Sequence, residues 1–192
     1  MRNRPAFTIV ELLVTLVAMT ILMTLAVVSF KSVQVDARDT EREADVKNIA
    51  RGLEQRYKEG NPVATAPAPD VQKGSYPGIN EALHIDGWAR AGYTPESYGG
   101  NYRRLAFPGT EESSFTNPEG EFAWTQICVY GCALAGDTTQ INNAMNGEDR
   151  YVYEPIDKNG GVCCCGECIR FNIYWRKEVD GSLQKVKSLH QQ

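Results

Sequence analysis

Between Pro5 and Pro62 the chain has no proline, so nothing in that span forces a helix to stop. Residues 7 to 30 also lack glycine and hold one charged side chain, Glu11. Histidine is nearly absent: His84 and His190 stand alone, without an obvious partner, and each reads as plain surface or core. No phosphate-cradling glycine loop, no HExxH and no G-x-S-x-G occurs, so no catalytic pattern supports an enzyme. Positive charge is not in excess either. The formal net charge is −4, and removing Arg2 and Arg4 takes it to −6; from Glu59 onward there are 11 Lys+Arg against 17 Asp+Glu. Such a surface argues against phosphate-backbone binding, and there is no nucleic-acid signature. Glu111, Glu112, Glu119 and Glu121 read as a solvated polar loop, without the spacing of an EF-hand calcium site.

What is present is a greasy run, Phe7 to Phe30, FTIVELLVTLVAMTILMTLAVVSF. A bilayer-spanning helix needs ~20 mostly apolar residues, and this run suffices. Arg2 and Arg4 precede it, which keeps the short leader cytoplasmic and sends everything after Lys31 across the membrane. A secretory signal peptide would show a shorter apolar core closed by a small-x-small site, and none closes this one. Glu11 is costly in such a helix, about 2.5–3.5 kcal/mol at the bilayer centre and less near an interface. At the headgroup level it is inert. Facing a cation, it is functional. A cut just before Phe7 would create such a cation, an α-amine about one helical turn from Glu11.

A short basic leader followed by AFTIVELLVTLVAMTIL resembles the class III signal of type IV pilins and pseudopilins. The resemblance implies cleavage by a membrane prepilin peptidase between Ala6 and Phe7, N-methylation of Phe7, and an assembly role for Phe7 and Glu11. Ala6 stands where the family usually has glycine. Many relatives also carry a glycine or proline midway along the apolar half, and this chain has neither.

After Phe30 the pattern turns amphipathic without a break. Val33, Ala37, Thr40, Ala44, then Val46, Ile49, Leu53 and Tyr57 recur at three- and four-residue steps, one helical face. Glu43–Lys47 and Glu54–Lys58 are favourably oriented pairs four residues apart. The apolar steps drift off a strict heptad, which disfavours a coiled-coil stalk. Gly60-Asn61-Pro62 ends the helix, giving a rod roughly 80 Å long. VATAPAP (63–69) reads as an extended linker, and 74–109 as irregular structure with a short helix around Ile79–His84. The aromatics there (Tyr76, Trp88, Tyr93, Tyr98, Tyr102, Phe107) read as satellite core.

The last third predicts strands at Arg150–Ile156, Cys168–Lys177 and Leu183–Ser188, separated by turn signals at Asp157–Gly161 and Asp180–Ser182. The middle one alternates, Ile169, Phe171, Ile173 and Trp175 on one face and Arg170, Asn172, Tyr174 and Arg176 on the other. That pattern predicts a half-buried strand, with Phe171 and Trp175 receiving Leu53 and Tyr57 of the helix. The fold class is α+β: a long N-terminal helix on a small antiparallel β-meander. The pilin resemblance implies the same arrangement.

Six cysteines, Cys128, Cys132, Cys163, Cys164, Cys165 and Cys168, all follow the apolar helix, on the side where disulfides persist. Fifteen connectivities are open. Neighbours pair poorly, so the 163–165 group is expected to reach elsewhere, including Cys128, Cys132 and Cys168. The rival is zinc on Cys128-x3-Cys132 with Cys165-x2-Cys168, which suits a reducing compartment better. No metal or other cofactor is expected.

The expected organisation is a leader (1–6), a membrane and filament-core helix (7–30), its amphipathic continuation (31–59), a linker (60–75) and a disulfide-stapled head (76–192). The resemblance implies a filament subunit, a homo-oligomer built through its N-terminal helix. Its partners would be prepilin peptidase, the pilus assembly machinery and, before assembly, membrane lipid. It would sit in the cytoplasmic membrane with its C-terminus outside, then in an extracellular filament. The alternatives are a minor pilin or secretion or competence pseudopilin with a partner-binding head at a filament tip, and an uncleaved single-pass binding protein.

Overall fold

The structure, a computed structural model, describes residues 8–60, 73–79, 107–127, 134–147, 149–164 and 167–190. Helix α1 runs unbroken over Ile9–Glu59, 51 residues or ~77 Å. It ends at Gly60, whose φ of 72° suits glycine, and the Gly60 N–H closes on Arg56 O at 2.8 Å. The chain returns close by, with Gly74 N–H donating to Tyr57 O at 2.9 Å.

Four strands form one sheet in the order β1 (Trp124–Gln126), β2 (Tyr151–Ile156), β3 (Arg170–Arg176), β4 (Leu183–Lys187). The expected meander is β2–β3–β4, antiparallel with Tyr153 opposite Ile173 and Ile173 opposite Val186. The sheet as a whole is mixed, because β1 joins it parallel to β2 with Trp124 opposite Tyr151. Pro155 is tolerated in the central strand because β1 pairs only as far as Tyr153. Beyond that point the segment at Val162 takes over that side, and it uses the Pro155 carbonyl, which accepts from Cys163 N–H at 2.8 Å, not the N–H that proline lacks. Both expected turns form: Asp157 Oδ1 accepts from Asn159 and Gly161 N–H, and Asp180 Oδ1 from Ser182 N–H.

One sheet face packs on α1. Val46, Ile49 and Leu53 meet Trp124, Tyr153, Phe171, Ile173 and Trp175, with Tyr57 alongside. Tyr76 and Phe107 complete this core, Tyr76 edge-on to Phe171 at 4.8 Å and Phe107 edge-on to Trp124 at 5.1 Å. Burying an aliphatic side chain such as Leu53 stabilises by about 1.5–3 kcal/mol. Gly52 permits a close approach on one flank, since a Cβ there would strike Thr110 Oγ1 and lie 3.3 Å from the Phe107 backbone.

The other sheet face is covered too, which corrects the half-buried reading of β3. Helix α2 (Thr138–Met145) lays Ile141 and Met145 against Val152 and Tyr174. Asn172 on that face is also buried, in a polar network around Glu154. The Glu154 carboxylate accepts from Asn172 Nδ2 at 2.6 Å, Tyr174 Oη at 2.8 Å and Gly136 N–H at 2.6 Å. A buried carboxylate is tolerable when bonded in this way.

The seam on α1 also differs from the expected one at its upper end. Val33, Ala37, Thr40 and Ala44 are all exposed, and the buried line from Val46 continues back through Arg42 and Asp39. Glu43–Lys47 forms at 2.6 Å, whereas Glu54 turns inward, accepting from Tyr76 Oη at 2.9 Å and Leu189 N–H at 2.8 Å.

Candidate functional site

Among the described residues, the first half of α1 is the feature with no partner inside the molecule. Its apolar window has a mean hydropathy of 2.5 and none of it is buried. Ile9 is 85% exposed, and large apolar side chains stay exposed as far as Phe30 and Val33. An apolar surface of this extent needs an apolar medium, lipid or other chains. The threonines inside it are already served: the hydroxyls of Thr15, Thr20 and Thr24 donate to the carbonyls of Leu12, Val17 and Ile21 at 2.8–2.9 Å. Such internal bonding is what a helix needs where water is absent.

Glu11 is the only ionisable residue between Thr8 and Phe30. It occupies the first turn of α1, whose cap is Thr8; Thr8 Oγ1 accepts the Glu11 N–H at 3.3 Å. Thr-x-x-Glu is the spacing of a capping box, a signal in the sequence that marks the helix start directly. The helix N-terminus carries a partial positive charge, which favours a carboxylate at this position. Ala6 and Phe7, the expected processing site, lie outside the described residues.

Where the helix meets the head, charge replaces apolar contact. Arg42, 3% exposed, donates from Nε to Asp149 Oδ2 at 2.6 Å and from Nη1 to Asp39 Oδ1 at 2.9 Å and Glu178 Oε2 at 3.1 Å. Asp39 in turn accepts the backbone N–H groups of Glu178 and Val179 at 2.7 and 3.2 Å. Arg38 adds a two-pronged contact to Glu178. The turn joining β3 to β4 is thereby clamped to the spine. Glu119, expected to be merely solvated, sits 3.4 Å from Arg42 and 3.7 Å from Arg38. The Arg38 bond holds the Glu178 carboxyl below the usual carboxylate range. Burial pushes the Asp149 carboxyl up despite its bond to Arg42. Sequence patterning misses this cluster because the helical wheel assigns charged residues to solvent.

Of the cysteines, Cys163 and Cys168 are joined, with Cα atoms 5.7 Å apart. The bond is local, so these two do not tie the Cys128–Cys132 segment to the sheet. It also removes Cys168 from the alternative zinc set. Its surroundings are held to the segment following the linker, with Tyr76 N–H donating to Cys168 O at 2.7 Å and Ile79 N–H to Cys163 O at 3.1 Å. Cys164 is half-buried. Cys128, Cys132 and Cys165 lie outside the described residues, as do most of the linker, His84, Trp88, Tyr93, Tyr98, Tyr102 and all but Ile79 of the expected short helix.

Residues 1–27 match a family model described as the prokaryotic N-terminal methylation motif, which is typical of type IV pilin and pseudopilin precursors. No curated protein and no solved structure matches the chain.

Proposed function

We propose that this chain is a non-enzymatic structural subunit of an extracellular type IV pilus-like filament. Prepilin peptidase cuts it between Ala6 and Phe7, and Phe7 becomes the N-methylated first residue. The apolar half of α1 holds the subunit in the cytoplasmic membrane with the head outside. The assembly machinery then draws it into a fibre in which such helices pack together.

The observation that carries this reading is a division within one helix. From Ile9 to Val33 its described apolar side chains are left uncovered, whereas from Asp39 to Tyr57 it is built into the core of the head. A mere anchor needs no continuous rod between membrane and head. A filament does, because helix stacking must fix where each head sits. Glu11 supplies register: in lipid it is costly, and beside the α-amine of a neighbouring Phe7 it is neutralised. Such pairing favours one axial offset between adjacent helices.

Shearing fibres from the cell surface tests the reading. The chain should be recovered in the sheared fraction, and its deletion should remove or shorten those fibres. A chain that stays wholly in the membrane fraction, with surface fibres unchanged by its deletion, would contradict it.

A further inference from the structure

The head presents opposite charge on the two flanks of α1, at one level. Lys47, Arg51, Lys58 and Lys187 line a groove of about 480 Å³ between α1 and the edge strand β4. Ala50 and Val186 supply apolar wall. Lys47 is bonded to Glu43, so the remaining positive charge comes from Arg51, Lys58 and Lys187, all exposed. Glu54 also lines the groove, but its carboxylate is buried and bonded to Tyr76 and Leu189.

Successive residues step about 100° around a helix. Lys47, Arg51 and Lys58 therefore fall on one side of the buried Val46–Ile49–Leu53 line, and Glu41, Asn48, Gly52 and Glu59 on the other. The second flank receives residues 107–114: Thr110 Oγ1 donates to Asn48 O at 3.4 Å, and Asn48 Nδ2 to Ser114 Oγ at 3.5 Å. That segment carries Glu111 and Glu112, and α1 adds Glu41 and Glu59 to the same side further along its length; all four are exposed.

We infer that the basic groove is a docking site for a second copy of this chain, entered by the acidic flank carrying Glu111 and Glu112. The inference rests on the filament reading above and names the contact between neighbouring heads. The two patches are complementary in sign, occupy the same turns of α1 and lie on different sides of it. Copies stacked side by side with parallel helices therefore bring one subunit's acidic flank to the next one's groove. Such a contact is heterologous, unlike patch on unlike patch, and when it does not close into a ring it propagates as a helix. Apolar packing of the N-terminal halves supplies cohesion, and the charged flanks select the rotation between subunits.

The experiment uses full-length chains in cells that assemble them. Arg51→Glu with Lys58→Glu is expected to lower the yield of sheared fibres about tenfold, as like charges then face each other. Glu111→Lys with Glu112→Lys should do the same, and all four changes together should restore yield to within about twofold, because the pairs are coupled. Membrane levels of each variant and retention of the Cys163–Cys168 bond control for folding. Zero-length carbodiimide coupling of wild-type fibres, mixed from light and heavy isotope labels, should give mixed-label links from Lys58 or Lys187 to Glu111 or Glu112. Fibres that form normally in both double variants, or links from the groove only to another protein, would overturn this inference while leaving the filament reading intact. Absence of the chain from fibres would overturn both.

Discussion

Arg42 and Asp149 are 107 residues apart in sequence and share a 2.6 Å bond from Nε to Oδ2, with the guanidinium almost wholly buried. This pair, with Asp39 holding the Glu178–Val179 backbone and the Val46–Ile49–Leu53 packing beside it, fixes how the head sits on the rod. The angle between them matters in any assembly whose symmetry is set by the rods.

Removing Arg42 leaves Asp39 and Asp149 partly buried without their cation. Breaking a buried ion cluster from one side costs about 3–5 kcal/mol. Arg42→Met is expected to lose that much in chemical unfolding of the detergent-solubilised chain. Adding Asp149→Asn should recover part of it. An unchanged midpoint in Arg42→Met would show that the cluster is ornamental.

Acid should loosen the Glu178 end of the same clamp. The bond from Arg38 holds the Glu178 carboxyl below its ordinary value, ~4.3 in model peptides. A depressed carboxyl contributes stability that is full above the unfolded-state value and is lost as pH falls through the folded-state value. Glu178→Gln should therefore flatten the decline in unfolding midpoint between about pH 5 and about pH 3 relative to wild type. A variant whose decline is as steep as wild type assigns the acid sensitivity elsewhere.

Gly52 is needed for closeness, not for an unusual backbone angle. Gly52→Ala drives a methyl into Thr110 and against the Phe107 backbone. The expected loss is about 1–3 kcal/mol, the usual range for overpacking, even though alanine is the better helix former. A stabilised variant, read by thermal unfolding, would mean that the 107–110 turn yields freely.

The capping-box spacing and the charge pairing proposed above give Glu11 two candidate roles, and substitution tells them apart. Glutamine serves in a capping box as well as glutamate but carries no charge. Glu11→Gln and Glu11→Ala should both insert into the membrane at wild-type levels, and both should reduce sheared fibre yield greatly. Normal fibres from Glu11→Gln would leave capping as the whole role of this residue.

The rod is legible in the sequence because its signals are local: no proline from Thr8 to Glu59, and a stop at Gly60. The β2–β3–β4 meander is legible from the alternation around Phe171 and Ile173 and from the turn residues beside it. The upper seam is not, since Asp39 and Arg42 are buried only by virtue of partners more than a hundred residues away. Strand β1 is three residues long and joins in parallel across a long connection, so its period carries no information. Helix α2, TTQINNAM, has too little apolar content to announce that it covers Val152 and Tyr174. Glu11 stands out in the bare sequence as a charge out of place, because every neighbour within the run is uncharged.

The central claim is that the rod is freed at Phe7 and then bundles with its own kind. Mass spectrometry of the N-terminal peptide of the chain recovered from surface fibres tests it most directly. The account predicts a peptide beginning at N-methylated Phe7. A peptide beginning at Met1, from a chain found only in the membrane, would contradict it.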